Sequence, residues 1–407
     1  MRESPWKAIK VAIGTFTFLA ILLLFVLPLG VSQWLQTKPE PPPGILRYLR
    51  WLENCQRLSI QILAGGYFFA VGSCFASFLN VVASRVPRGQ SITGHSRCPQ
   101  CLARLRLRDN LPIIGWLRNQ GQCRFCQAPI ASRYLYVEIL LGTVFLVLGL
   151  STLATGGVTL PVRHPNPGMG FERFLLQPKW DLLQILMGQI CLLLFLFTFA
   201  LIELERFRIP RSLLLAGFFC GFAMATCNPS MILIEYAWPL QEKWPMVWGS
   251  YSLLGTLLIG VLIGALLGRI LNRCLGSRLI ERVYLANVAN QKEDELETHG
   301  PDRQLTLGPD LGNSSNPATK TFPANGDPSQ TIPGGVTSSF FCGLVLCGLF
   351  LGWQSAVIIS IWVALIYFIF GGKFQRETSP WFTSSSLVFI GCLLHLMTWR
   401  WLNVLTN

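Results

Sequence analysis

The chain has 407 residues, of which 51% are hydrophobic and only 13% are charged, and its formal net charge is +13. Soluble domains usually carry about 25% charged residues, so the composition excludes an ordinary soluble protein and indicates a polytopic membrane protein. The positive charge lies in loops beside apolar segments, as membrane orientation requires, rather than on one polar face as in nucleic-acid binders. We therefore expect no nucleic-acid partner.

Nine apolar segments approach the length of about 20 residues that a helix needs to span a bilayer. They lie at about 11–35, 58–84, 135–155, 182–202, 212–234, 247–271, 336–352, 354–370 and 385–402. We interpret the first as a retained anchor helix, with a signal peptide as the alternative. The pattern predicts an all-α polytopic membrane bundle of about nine transmembrane helices.

The loop at 85–134 sets the expected orientation, because it contains nine arginines and Asp109 as its only acidic residue. Loops rich in Lys and Arg stay in the cytoplasm. Alternation then places the N-terminus and the segment 276–335 on the cytoplasmic side of the plasma (inner) membrane. That segment is rich in Pro, Gly, Asn and Ser and cannot bury enough apolar surface to fold, so we expect a disordered insert.

Two Cys-x2-Cys pairs stand in the same loop, separated by 21 residues. They consist of Cys98, Cys101, Cys123 and Cys126. This spacing is typical of a four-thiolate zinc site, and the reducing cytoplasm favours metal binding over disulfides. The sequence therefore predicts a small zinc-ribbon-like insertion at 96–129. Its zinc is structural, because four protein ligands leave no open position for chemistry.

Several motifs resemble one family. The stretches "GSCFASFLNVVASRVPRG" (72–89), "SRCPQC", "RDNLPIIGWL" and "GQCRFCQAPIASRYLYVEILLG" (121–142) are similar to the N-terminal half of type IV prepilin leader peptidases. Those membrane aspartic peptidases cut prepilin leaders and N-methylate the new terminus. The later stretches "FTFALIELERFRIPRSLLLAGFFCGF" and "GLFLGWQSAV" resemble their membrane core.

The resemblance, together with the apolar segments and the polar insert that lie outside it, predicts a division of the chain into five parts. These are an anchor helix and outer loop at 1–57, the family N-terminal region at 58–142, a first part of the peptidase-like core at 143–275, the insert at 276–335 and the last core helices at 336–407. It also implies prepilin or pseudopilin leader segments and membrane lipid as partners. S-adenosylmethionine is implied as a cofactor only if methyl transfer persists.

The family's catalytic residues are the point where this sequence departs from the pattern. The family uses two aspartates, which as a pair share one proton and serve as acid and base. Glu203 stands at the first position, where the added methylene displaces the carboxylate by about 1 Å, enough to cost about a hundredfold in rate. The second position should carry Gly-x-Gly-Asp-x-Lys, but the stretch reads "PGGVTSSFFCGL". The resemblance therefore implies a peptidase activity that is impaired or lost.

Two other hypotheses stay open at this point. One is an active leader endopeptidase that pairs Glu203 with a second acid, for which the candidates are Glu205, Asp302, Asp310 and Asp327. The other is a membrane scaffold with a zinc knuckle and no link to pilins. Glu138, at the start of an apolar segment, is either a functional intramembrane acid or an interfacial carboxylate paired with Arg133.

Overall fold

The structure, a computed structural model, describes residues 43–98, 100–106, 108–160, 170–205, 207–227, 249–276, 335–336, 339–371 and 383–406. Within these ranges the chain is built almost entirely of helices. Helices α1 to α5 are Pro43–Arg85, Ile114–Arg118, Arg133–Gly149, Gly170–Leu176 and Trp180–Leu204. Helices α6 to α10 are Arg211–Cys227, Gly249–Leu271, Ser339–Leu351, Trp353–Gly371 and Ser384–Thr406.

Five helices in the described ranges are long and apolar enough to cross a membrane. They occupy Glu53–Arg88, Arg133–Ala154, Trp180–Leu204, Leu257–Leu275 and Trp353–Phe370. The helical class is thereby confirmed, but nine spans are not. Of the other predicted segments, α6 and α8 are apolar helices of only 17 and 13 residues. The segment 385–402 falls in α10, which is not among the five, and 11–35 lies outside the described residues.

The chain folds as two compact units. The first comprises Met1–Phe78, His95–Leu186 and Arg400–Asn407, and the second comprises Leu79–Gly94 and Met187–Trp399. The domain boundaries predicted above follow family motifs rather than packing, and they stay predictions. Most of the predicted polar insert, residues 277–334, lies outside the described ranges.

In the first unit, α1 and α3 run antiparallel and pack closely at glycines. A Cβ atom on Gly72 would meet the carbonyl oxygen of Leu141 at 2.7 Å, and one on Gly65 would meet a methyl group of Leu146 at 2.9 Å. Leu141 and Phe145 are buried beside this crossing. The close approach fixes the start of α3, where Glu138 lies, against the middle of α1.

In the second unit, α8 is the central helix, because every residue in it except Phe341 is buried. A helix that is apolar on all sides belongs in the interior. A short antiparallel pairing leads into it: Ile209 and Pro210 form strand β1, which pairs with strand β2 at Gly335–Val336, and Ile209 lies opposite Val336. Strand β2 belongs to the stretch in which the second catalytic motif is expected, and strand β1 follows Glu203 by six residues. The β1–β2 pairing therefore brings these two parts of the sequence together.

Candidate metal centre and carboxylates

Two turns of the same geometry hold the four predicted zinc ligands. In the first, the N–H of Cys98 donates to the Ala103 carbonyl and the N–H of Leu102 donates to the Cys98 carbonyl, both at 3.0 Å. Twenty-five residues later, Cys123, Ala128 and Gln127 make the corresponding two bonds at 2.8 Å. Leu102 and Gln127 both take positive φ angles, 57° and 56°. The local hydrogen bonding of each Cys-x2-Cys turn thus presents two sulfurs on the same side.

The four sulfur atoms converge on one point, as the sequence predicted. All of them lie within 4.8 Å of one another, with Cys98 Sγ 3.8 Å from Cys126 Sγ and Cys101 Sγ 3.9 Å from Cys123 Sγ. Tetrahedral zinc with Zn–S bonds of about 2.3 Å separates its sulfurs by about 3.8 Å. The cluster therefore fits a zinc ion that these four cysteines would hold.

Backbone donors favour the ligand form of one of these cysteines. The N–H groups of Cys126 and Phe125 donate to the Cys123 sulfur and lower the pKa of that thiol to about 6. A thiolate is the form that binds metal. Cys98 and Cys123 are buried while Cys101 and Cys126 are exposed, so the cluster has one protected side and one side that faces solvent.

Glu138 has a partner that the sequence did not suggest. Its Oε2 accepts a hydrogen bond of 2.7 Å from the backbone N–H of Ile113, and its own carbonyl accepts one of 3.1 Å from the Ser73 hydroxyl. Ile113 has a φ of 61° and directly precedes α2. Glu138 therefore joins three segments: its carboxylate binds the loop that follows the first zinc turn, and its backbone carbonyl connects the spanning helix α3 with the middle of α1.

We expect Glu138→Leu to lower the stability of the first unit, because the Ile113 N–H would lose its acceptor. Such a loss typically costs about 1–3 kcal/mol. Glu138→Gln keeps an acceptor oxygen and should cost less. Thermal unfolding of the detergent-solubilised protein would measure both effects. Glu172→Leu is the control, since Glu172 pairs with Arg57 at 3.4 Å at an exposed site where ion pairs contribute little. Equal losses in the Glu138 and Glu172 variants would contradict this role.

Glu203, the predicted catalytic carboxylate, contacts the start of the last helix. Its Oε2 accepts a hydrogen bond of 2.7 Å from the backbone N–H of Ser385, in the first turn of α10. A carboxylate is stabilised at a helix N-terminus, where backbone N–H groups lack partners within the helix. Glu203 therefore serves as a helix cap from another segment, 182 residues away in sequence.

The described part of the second unit brings no distant acid to Glu203. Glu203 and Glu205 are its acidic residues, and both lie at the end of α5. The stretch expected to bring the second aspartate supplies Gly335 and Val336, paired with β1. The other candidates, Asp302, Asp310 and Asp327, lie outside the described residues.

A cysteine pair in the second unit was not predicted from the sequence. The sulfur atoms of Cys191 in α5 and Cys220 in α6 lie 3.4 Å apart. Each cysteine stands alone in an apolar helix, where it is usually a small hydrophobic residue. Only the packing of the two helices brings them together, so no local motif could have revealed the pair.

The fold and the sulfur cluster define a helical protein with several apolar helices of membrane-spanning length and a four-cysteine site that fits zinc. The sequence model of the bacterial peptidase A24 N-terminal domain matches residues 70–152, which include the zinc turns and Glu138. This match confirms, over residues 70–152, the resemblance to prepilin leader peptidases that the motifs of this region suggested. The matched region ends before Glu203.

Individual relatives agree with this assignment. A prepilin leader peptidase/N-methyltransferase of Myxococcus xanthus is 46% identical over 80 residues, which cover 19% of this chain and 24% of that protein. A type 4 prepilin-like proteins leader peptide-processing enzyme of Escherichia coli is 39% identical over 98 residues, covering 19% and 36%. A prepilin leader peptidase/N-methyltransferase of Klebsiella pneumoniae is 37% identical over 94 residues, covering 21% and 41%. The chain thus spans well under half the length of these relatives, and no solved structure matches it.

Proposed function

We propose that the chain is an integral inner-membrane protein of the prepilin peptidase family that binds the leader segments of prepilins or pseudopilins without cutting them. It would act beside the processing step of type IV pilus assembly or type II secretion. The N-terminus, the zinc knuckle and the insert at 276–335 would face the cytoplasm. Zinc at the four cysteines would be structural, and S-adenosylmethionine would be needed only if methyl transfer persists.

The observation that carries the proposal is the position of Glu203. A peptidase carboxylate must be available to activate water, whereas one oxygen of Glu203 is occupied by the Ser385 N–H. The longer side chain reaches from α5 to the first turn of α10, where its carboxylate accepts the Ser385 N–H bond. The Glu203 carboxylate thus caps helix α10, a structural role for which no second acid is needed.

The segment before α8 supports the same conclusion. An aspartic peptidase needs two carboxylates close enough to share one proton. In this chain the two glycines of the expected motif are followed by Val336, which lies opposite Ile209 in the β1–β2 pairing. Among the described residues, this pairing connects the segment before α8 to the chain after Glu203 but brings no acid to it.

We expect no cleavage when the protein is co-expressed with a prepilin from its own host, in cells without another prepilin peptidase. The leader would be followed by mass spectrometry beside an active family member. Glu203→Gln keeps the acceptor for the Ser385 N–H and so tests chemistry without removing the cap, and Glu205→Gln is the matched control. The prepilin should nevertheless copurify with the wild-type protein.

Other outcomes separate the competing hypotheses. Cleavage by the wild-type protein that is lost in Glu203→Gln but kept in Glu205→Gln would show an active peptidase with a second acid from outside the described residues. If the protein neither cuts nor retains prepilin, the scaffold hypothesis replaces the proposal.

A further inference from the structure

One face of the zinc knuckle exposes apolar side chains beside the membrane-spanning helices. Ile114 and Leu117 lie three residues apart on α2 and are 60% and 57% exposed, and Leu111, three residues earlier, is 48% exposed. The opposite side of α2 packs inward: Gly115 is buried against the backbone of Asp109, and the Trp116 indole N–H donates to the Ile130 carbonyl at 3.2 Å. The apolar face is therefore held outward by the fold.

The position of α2 is fixed relative to a spanning helix. The residue that precedes it, Ile113, donates to Glu138, which lies in the second turn of α3. At a rise of about 1.5 Å per residue, Glu138 is about 8 Å along α3 from its first residue, Arg133. The Ser73 hydroxyl, which bonds the Glu138 carbonyl, belongs to the candidate span Glu53–Arg88. The N-terminus of α2 is thus attached near the start of the spanning helix α3, which itself packs against the middle of α1.

The rest of the knuckle is strongly basic on its surface. Six exposed arginines surround the zinc turns and α2, and Asp109 is the single acid between them. They are Arg97, Arg104, Arg106, Arg108, Arg118 and Arg124. Exposed apolar side chains next to clustered basic ones are the pattern of segments that lie in a membrane interface and bind anionic lipids.

We propose that the segment 111–118 is an interfacial anchor, in which Leu111, Ile114 and Leu117 insert among the acyl chains while the arginines bind anionic phospholipid headgroups. The inference does not depend on the proposed function. An acidic protein segment would also satisfy the arginines. It would leave the three apolar side chains in water at the membrane face, however, whereas lipid accounts for both the charge and the apolar face.

The insertion half of the proposal can be tested with the full-length protein in nanodiscs. The fluorescent amino acid acridonylalanine would be incorporated at position 117, and its quenching by doxyl-labelled lipids would be compared with its quenching by iodide. Ile62, exposed on a spanning helix, gives the lipid reference. Gln90, exposed just beyond the span Glu53–Arg88, gives the aqueous reference. We expect position 117 to behave like position 62, and quenching like that at position 90 would overturn the proposal.

The headgroup half can be tested by lipid retention. The protein would be released from nanodiscs of phosphatidylcholine mixed with phosphatidylglycerol, and the bound lipids counted by native mass spectrometry. Each arginine near the surface contributes enough to change binding about fivefold. The triple variant Arg104→Gln/Arg106→Gln/Arg108→Gln should therefore lose the preference for phosphatidylglycerol while keeping its zinc. If that variant retains as much phosphatidylglycerol as the wild type at equal zinc content, the arginines serve another partner and the proposal is wrong.

Discussion

Replacing Cys123 by serine is expected to abolish zinc binding and to unfold the segment 96–129. The segment is too small to have a core of its own, and structural zinc supplies about 10–16 kcal/mol of apparent binding energy in such units. Cys123 is also the ligand whose pKa is lowered to about 6 by backbone donors, which makes it a ready source of thiolate. The zinc content of the purified protein, together with limited proteolysis of the loop, would measure the loss.

The matched control is Cys74→Ser, which removes an exposed cysteine of α1 that lies outside the cluster. It should leave one zinc per chain and the wild-type proteolysis pattern. Treatment of the wild-type protein with a strong chelator should reproduce the proteolysis of Cys123→Ser. A zinc-free protein whose loop resists proteolysis would contradict a structural role for the metal.

The zinc cluster was the part of the site most accessible from the sequence, because its geometry is local. Each Cys-x2-Cys turn is closed by hydrogen bonds between residues four and five positions apart. Spacing alone therefore predicted that Cys98 and Cys101 would point the same way. The same hydrogen-bonded turn recurs 25 residues later, and the two turns face each other so that their four sulfurs meet.

Helices were also predictable, but their ends and their capacity to span were less so. The apolar segment at 58–84 was expected to begin at residue 58, whereas α1 begins at Pro43. The earlier part, with Arg47, Arg50 and Glu53, is helical but too polar to be detected from apolar content. The segment predicted at 336–352 also begins differently, since residue 336 belongs to strand β2 and helix α8 begins at Ser339.

The roles of the two carboxylates could not be predicted, because each depends on a contact between distant parts of the chain. Glu138 meets a backbone N–H 25 residues away, and Glu203 meets one 182 residues away. The donor in each of these two contacts is a backbone N–H, which no residue type in the sequence marks. A family motif can show where a carboxylate is expected. The hydrogen bond that this carboxylate accepts is seen only in the folded protein.

Besides the β1–β2 pairing and the Glu203–Ser385 hydrogen bond, a close helix crossing joins the parts of the second unit before and after residues 277–334. Gly260, Gly264 and Gly268 recur every fourth residue on α7 and face the backbone of α8 at Gly348, Leu344 and Phe341. Small residues at this spacing let two membrane helices approach until their backbones touch. The crossing fixes α8, and through its first residues it fixes the strand β2 that stands where the second catalytic motif is expected.

Gly264→Ala is therefore expected to destabilise the second unit. The new Cβ atom would collide with the carbonyl group of Leu344, and a backbone atom inside a packed crossing cannot move aside as a flexible side chain can. Overpacking of this kind costs about 1–3 kcal/mol, which should lower the midpoint of thermal unfolding in detergent. Gly255→Ala is the control in the same helix, since a Cβ atom there meets nothing within 4 Å.

The control variant Gly255→Ala should raise the midpoint of thermal unfolding or leave it unchanged. Alanine stabilises a helix by about 1 kcal/mol relative to glycine when no contact opposes it. A lower midpoint for Gly264→Ala beside an equal or higher one for Gly255→Ala would attribute the effect to the crossing with α8. Similar shifts in both variants would mean that helix propensity alone decides the result. In that case the α7–α8 crossing would contribute no measurable stability to the second unit.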